Sequence, residues 1–380
     1  MRDLMTGLAR PMLRLLGRDD RGAVGVLVAI LVGGGVLVGM GALVVDVGQI
    51  YQNRAELQNG ADAGALAVAK SCALGSCDAS LATSQAVGNA SALTGHQAGV
   101  QTVCGSGTLG ACDFTATGGL TDCPPNPTSG ANYVDVRTET KTPTGSLLPP
   151  VFARALIGGQ NYDGTTVYAC AQAEWGSPSS DTTIAVTISA CEWATATNNG
   201  QSFAPAPPYP PDPAQSYDQR LTLSSGNVTS GVCPANPAYA DAPGAFGWTQ
   251  DISGTCNLLI NGSTYGTNTG VSAGTTCDSA LQTAWTNQTI VYVPVYSSVV
   301  LQGNNTVYTL DGFAGFVITG YRVPGQKGFA SEPDWLNPSL LCSPPTTCID
   351  GVFTQGLIPA SSLPQGSGNN LGAEFIRLTG

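Results

Sequence analysis

Residues 22–45 (GAVGVLVAILVGGGVLVGMGALVV) run for 24 positions without a charged side chain, and no other feature restricts this chain so strongly. As one α-helix the run would span about 36 Å, more than the ~30 Å of bilayer hydrocarbon. Gly33, Gly34, Gly35, Gly39 and Gly41 would weaken a helix in water. They are tolerated in lipid, where small residues let helices approach closely, and Gly35-x-x-x-Gly39 has the spacing of such a contact. Before the run stand five arginines (Arg2, Arg10, Arg14, Arg18 and Arg21) against three aspartates. The excess of positive charge predicts residues 1–21 in the cytoplasm and everything beyond Asp46 outside the plasma membrane. The run is longer than a secretory h-region and no clear A-x-A site follows, so a retained single-pass anchor is expected rather than a cleaved leader.

The helical pattern does not stop at residue 45. Residues 46–75 lack proline and are rich in Ala, Leu, Gln and Glu, all good helix formers, until Gly75 supplies a stop. Val47, Ile50, Leu57, Ala61, Gly64 and Val68 recur at three- and four-residue steps, interrupted by Arg54, and make one narrow apolar face. A transmembrane helix that continues into an amphipathic stalk is the expectation. The face Gly35, Gly39, Val47, Ile50, Leu57, Ala61 and Val68 is then predicted to pack against a similar helix of a partner.

Residues 76–380 read as an exterior domain. Only 10% of the chain is charged, while Gly (49) and Pro (25) are abundant. That is an extracellular, turn-rich composition. After residue 21 the chain holds nine basic and 22 acidic residues, which leaves no footprint for nucleic acid. All twelve cysteines follow the apolar run: Cys72, Cys77, Cys104, Cys112, Cys123, Cys170, Cys191, Cys233, Cys256, Cys277, Cys342 and Cys348. None forms a C-x-x-C pair, so disulfides in an oxidising compartment are expected over metal thiolates. Cys342/Cys348 and Cys170/Cys191 suit local or strand-to-strand bridges, and Cys256/Cys277 could staple a long loop over 253–276.

A helix is expected over 78–94 and a short one over 150–157. Strands are expected over 131–141, 165–175, 182–193, 289–300, 305–323 and 374–378. The polyproline-like stretch 204–213 is an exposed loop. The fold class is α+β, mainly antiparallel and disulfide-rich.

Arg21-Gly22-Ala, the apolar span, Asp46-x-Gly48-x-x-Tyr51 and Leu57-Gln58-Asn59-Gly60-Ala61-Asp62-Ala63 follow one another in an order that resembles the N-terminal signature of TadG-like (TadE/TadG family) Flp pilus-assembly proteins. Phe152-Ala-Arg154, Ile188-Ser-Ala-Cys191-Glu-Trp193 and Gly312-Phe-Ala-Gly315-Phe-Val-Ile-Thr-Gly320-Tyr321 resemble the longer members from Gram-positive bacteria. The resemblance implies a membrane-anchored, pseudopilin-like component of a tight-adherence system, with other assembly proteins as partners. Two departures stand out. The fifth residue after Gly22 is Leu27 where processed pilins carry glutamate, and Asp251-Ile-Ser253-Gly-Thr255 lacks the leading strand of a metal-binding D-x-S-x-S loop.

No catalytic constellation, cofactor site or metal site is expected. His96 is the single histidine, and neither a G-x-S-x-G elbow nor a phosphate loop occurs. Glu174/Trp175 and Glu192/Trp193 are the carboxylate pairs worth inspecting for a glycosidase. The alternative to assembly is an autonomous adhesin that binds cell-wall or host-surface glycans through Tyr209, Trp248, Trp285 and Trp335.

Overall fold

The computed structural model describes residues 21–89, 97–113, 123–125, 127, 132–141, 165–178, 180–209, 215–222, 231–241, 246–249, 256–268, 274–302, 305–325, 328–340, 342–358 and 369–379. The expected helix over 150–157, His96, the Asp251–Thr255 loop and most of the segment 1–21 lie outside them, as do residues 210–213 of the proline stretch.

The apolar run is not one helix, which corrects the expected span over 22–45. Helix α1 (Arg21–Gly33) ends at the glycine triplet and α2 (Val36–Ala73) begins beyond it. The cause is Gly35, whose φ of 71° is left-handed and open to glycine without steric cost. Its N–H bonds Val32 O at 3.1 Å, and its own carbonyl accepts the first bond of α2 from Gly39 N at 2.7 Å. Among the described residues no helix is long and apolar enough by itself to cross a membrane.

The expected continuation is present, because α2 carries the chain without a break from the apolar run through the amphipathic stretch. It ends in a Schellman motif, with Ser76 N bonded to Ser71 O at 2.9 Å and Gly75 N to Cys72 O at 3.0 Å. Gly75 stands at φ 82°. Helix α3 (Ser80–Asn89) follows within the expected 78–94, of which residues 90–94 lie outside the described ones.

Strands β1 (Gln97–Gly105), β2 (Asn132–Lys141) and β3 (Tyr168–Gly176) come next. After them run β4 (Ser180–Ile184), β5 (Val186–Ser189), helix α4 (Ala190–Ala196), β6 (Gln219–Thr222), β7 (Gly231–Val232), β8 (Ala240–Asp241) and β9 (Phe246–Trp248). The chain continues through β10 (Asn257–Asn261), β11 (Thr264–Asn268), helix α5 (Gly274–Asn287), β12 (Val291–Gln302), β13 (Asn305–Gly325) and β14 (Gly328–Glu332). It closes with β15 (Cys348–Thr354), β16 (Gly356–Leu357) and β17 (Ala373–Leu378).

One sheet has the order β1-β2-β3-β17-β16, antiparallel except for its last pair. A second is built around β13, which pairs with β11, β12, β14 and β15, and extends to β6 on one side and to β5 and β9 on the other. Ile188, Val295, Phe316, Ile318 and Leu281 fill the core of this larger sheet beneath α5. The expected strand over 182–193 is corrected. It ends at Ser189, whose side chain caps α4 by accepting Glu192 N at 3.1 Å, and helix takes the rest.

Six disulfides join Cys72–Cys77, Cys104–Cys112, Cys123–Cys170, Cys191–Cys233, Cys256–Cys277 and Cys342–Cys348. The suggested Cys170/Cys191 bridge is therefore wrong: Cys170 lies on β3 and Cys191 on helix α4, and each pairs instead with a cysteine of a connecting segment, Cys123 and Cys233. The described residues 256–268 of the 253–276 stretch form strands and not a stapled loop. Within it β10 pairs with β4 while β11 pairs with β13, so Cys256–Cys277 pins α5 across two sheet edges. Replacing both of these buried cysteines by alanine is expected to cost about 3 kcal/mol, from the freed loop entropy of the unfolded chain. A urea midpoint of the full-length protein, compared with wild type, checks this.

Candidate assembly helix

Helix α2 has two halves with opposite surroundings. In its first turns, as in α1, large apolar side chains face outward: Leu27 is 59% exposed, Leu43 61% and Val44 68%. From Leu57 onward the same helix is embedded, and Leu57, Ala61, Ala65, Val68 and Ala69 are fully buried. They lie on the first sheet, against Val134, Val136, Ala171, Ala173 and, around Leu57, Ala98, Val167 and Ala169. Leu57, Ala61 and Val68 were expected to meet a partner helix. Instead the chain's own strands β1–β3 occupy that face. Ile50 packs half-buried at its upper edge, and Val47 is exposed.

The alternation on the sheet explains this seat. Val134, Val136 and Thr138 of β2, together with Ala171 and Ala173 of β3, project toward α2, small enough in β3 for the helix backbone to sit close. Polar bonds fix the register. Gln58 Nε2 donates to Cys170 O and to Asp62 Oδ1, both at 2.8 Å, so the Gln and Asp of the signature act together. Thr138 Oγ1 donates to Leu57 O at 3.1 Å.

The signature glycine Gly60 lies against α3. A Cβ there would meet Ala86 O at 3.0 Å and Ala86 Cα at 3.2 Å, and one on Gly64 would meet Ala82 O at 3.3 Å. Gly60-x-x-x-Gly64 on α2 thus meets Ala82-x-x-x-Ala86 on α3, and the small-residue spacing serves an intramolecular helix pair. Gly60→Val is expected to push α3 away and cost about 1–3 kcal/mol, measured as a lowered thermal midpoint. Gly35 and Gly39, expected to pack against a partner helix, lie at the start of α2. Gly35 is exposed and spent on the break, and Gly39 closes the first turn onto it.

The remaining signature residues divide along the same line. Tyr51 (67% exposed), Gly48 and Asn59 face outward, while Asp46, Asp62 and Ala63 are half-buried. Arg21 and Gly22 open α1. At the lower end Ser71 ties the helix to the next turn, bonding Ser76 Oγ at 2.7 Å and accepting Asp78 N at 2.8 Å, beside the Cys72–Cys77 bridge.

The residues singled out for carbohydrate chemistry have other work. Glu174 is held by Arg377 at 2.8 Å beside buried Trp175, and Glu192 sits in the capped first turn of α4. Trp193 Nε1 donates to Leu371 O at 2.9 Å, and Trp248 is buried. Trp285 Nε1 bonds Thr319 O at 2.9 Å, Trp335 Nε1 bonds Ile318 O at 3.2 Å, and Tyr209 stacks on Trp335. These indoles brace strand β13. Among the described residues no group of three or more His, Cys, Asp or Glu side chains is placed to hold a metal ion.

Residues 22–71 match the family described as Putative Flp pilus-assembly TadE/G-like. No curated protein and no solved structure matches the chain. The matched segment coincides with α1 and nearly all of α2, the exposed apolar half and the rooted half together.

Proposed function

We propose that this chain, whose residues 22–71 are TadE/G-like, is an envelope-anchored, pseudopilin-like component of a Flp pilus-assembly system. One observation carries the reading. A single helix is apolar and outward-facing at its start, then embedded in the chain's own sheet from Leu57 to Ala73. An apolar surface of that length needs a non-aqueous neighbour, and its rigid continuation couples that neighbour to the exterior domain. In this reading α1 and the first ten residues of α2 together cross the bilayer, about 35 Å of helix with a break at Gly35. Breaks of this kind are tolerated in membranes where neighbouring helices cover the freed backbone. The arginine-rich segment stays in the cytoplasm and the disulfide-braced domain lies outside.

Assembly then rests on the exposed half, not on the face that contains Leu57. Electron microscopy of a strain lacking the gene, beside a complemented strain, tests the function. Loss or shortening of surface filaments, restored by complementation, is expected. Normal filaments with impaired attachment would instead favour an autonomous adhesin, for which the inward engagement of the indoles gives no support.

A further inference from the structure

The pairing of β13 with β15 slips between Ile318 and Gly320, so Thr319 is the extra residue of a bulge and its side chain is re-aimed into the interior. Its hydroxyl lies 2.9 Å from Asp218 Oδ1 and 2.9 Å from Asp334 Oδ2. Asp218 leads into β6, and Asp334 opens the turn after β14; both are buried. Thr319 has one hydrogen and faces two carboxyl groups, so it can donate to only one.

The other bonds decide which. Asp334 Oδ1 already accepts the backbone N–H groups of Leu336 at 2.9 Å and Asn337 at 2.6 Å. Among the described residues Asp218 Oδ2 has no hydrogen-bond partner. The nearby cation, Arg220 of β6, is committed to Asp350 of β15 through two bonds of 2.9 and 3.1 Å. Thr319 Oγ1 meets one donor and one acceptor if Asp218 keeps its proton and donates to Thr319 Oγ1, and Thr319 donates to Asp334 Oδ2. Burial, and next the Asp334 carboxylate, push the Asp218 carboxyl up to about 8.

The relay joins three pieces of chain. The turn that starts at Asp334 lies flat on Gly320, where a Cβ would stand 2.8 Å from Asp334 N. Trp335 N bonds Thr319 O at 3.1 Å, and Trp335 stacks on Tyr209 at 6.0 Å between ring centres. Beneath them Val317, Leu336 and Val352 form a small core of their own.

We propose that Asp218, Thr319 and Asp334 form a proton-operated latch, in which one proton held between two buried carboxyls keeps the segment entering β6 and the 333–337 turn closed on β13, and alkaline pH opens it. The folded chain binds this proton more tightly than the unfolded chain, where aspartate titrates near 3.8. Its contribution to stability is therefore complete below about pH 4 and is lost as pH rises through about 8. Deprotonation sets two carboxylates against one hydroxyl hydrogen in a site whose cation is already used. The open form uncovers Val317 and Leu336.

Hydrogen exchange read by mass spectrometry, on the full chain in detergent micelles at about pH 6.5 and 9.5 and scaled for intrinsic rates, tests the latch. Peptides covering 215–222 and 333–340 are expected to lose about tenfold protection at the higher pH, while those of α2 keep theirs. Asp218→Asn, whose amide can still donate to Thr319, is expected to hold both peptides closed at both pH values. Glu374, another buried carboxyl pushed up to about 8 by burial, serves as the control: Glu374→Gln should leave the response intact. Equal protection of the wild-type peptides at the two pH values would overturn the proposal, and so would an Asp218→Asn protein that opens as wild type does. Should Asp218→Asn not accumulate, Thr319→Val takes its place and is expected to leave both peptides open at both pH values.

Discussion

Leu57→Asp is expected to unfold the domain built on strands β1–β3 rather than weaken an association. Leu57 is fully buried between α2 and the strands around Ala98, Val167 and Ala169. Removing a buried leucine side chain alone costs about 2–5 kcal/mol. A carboxylate in its place has no partner there, and either its burial or its forced protonation adds further cost. With domain stabilities of about 5–15 kcal/mol, the variant should be degraded or retained by quality control instead of reaching the surface. Tyr51→Asp, six residues earlier on the outward face, is the contrast. It is expected to leave stability within about 0.5 kcal/mol and to act only on assembly. Protease resistance of the two variants at the cell surface separates these outcomes.

Arg220→Met is expected to have the next largest effect. The guanidinium holds Asp350, 1% exposed, by two bonds, in a site that also contains Asp218 and Asp334. Taking away the cation leaves a buried charge uncompensated, which costs about 3–5 kcal/mol. The sign with pH follows from Asp350, whose carboxyl is already pushed up by burial despite the arginine. Without Arg220 it rises further, so the folded variant takes up a proton that the unfolded chain does not. The deficit should shrink as pH falls, and urea midpoints at about pH 5 and pH 8 check that direction.

Much of the helical architecture was legible in the residues. The apolar run, its continuation and the stop at Gly75 follow from hydropathy and helix propensity, and the family signature follows from residue order. The partner of the buried face was not legible. Leu57, Ala61 and Val68 read the same whether a second helix or a sheet covers them, because periodicity reports burial and not the identity of the neighbour. The division at Gly35 lay within a glycine triplet that lipid helices also tolerate, and only the left-handed φ decides it.

The strands β2, β3, β12 and β13 were announced by β-branched and aromatic runs. Helix α5 was hidden, since GTTCDSALQTAWTN looks like loop until Leu281 and Ala284 are seen under β13. The acid pair escaped the sequence altogether. Asp218, Thr319 and Asp334 are distant in the chain, and it takes a one-residue bulge to turn Thr319 between them.

In the proposed function, the exposed half of the N-terminal helix, and not its rooted half, joins this chain to pilus-assembly proteins. Placing a photo-crosslinking amino acid at Leu43 in the intact strain tests it most directly, with the equally exposed Leu259 of β10 as the control position. The account predicts an ultraviolet-dependent adduct from Leu43 with a second pilus-assembly protein, identified by mass spectrometry, and none from Leu259. Adducts from Leu259 alone, or no protein adduct from Leu43 in a strain that makes filaments, would contradict it.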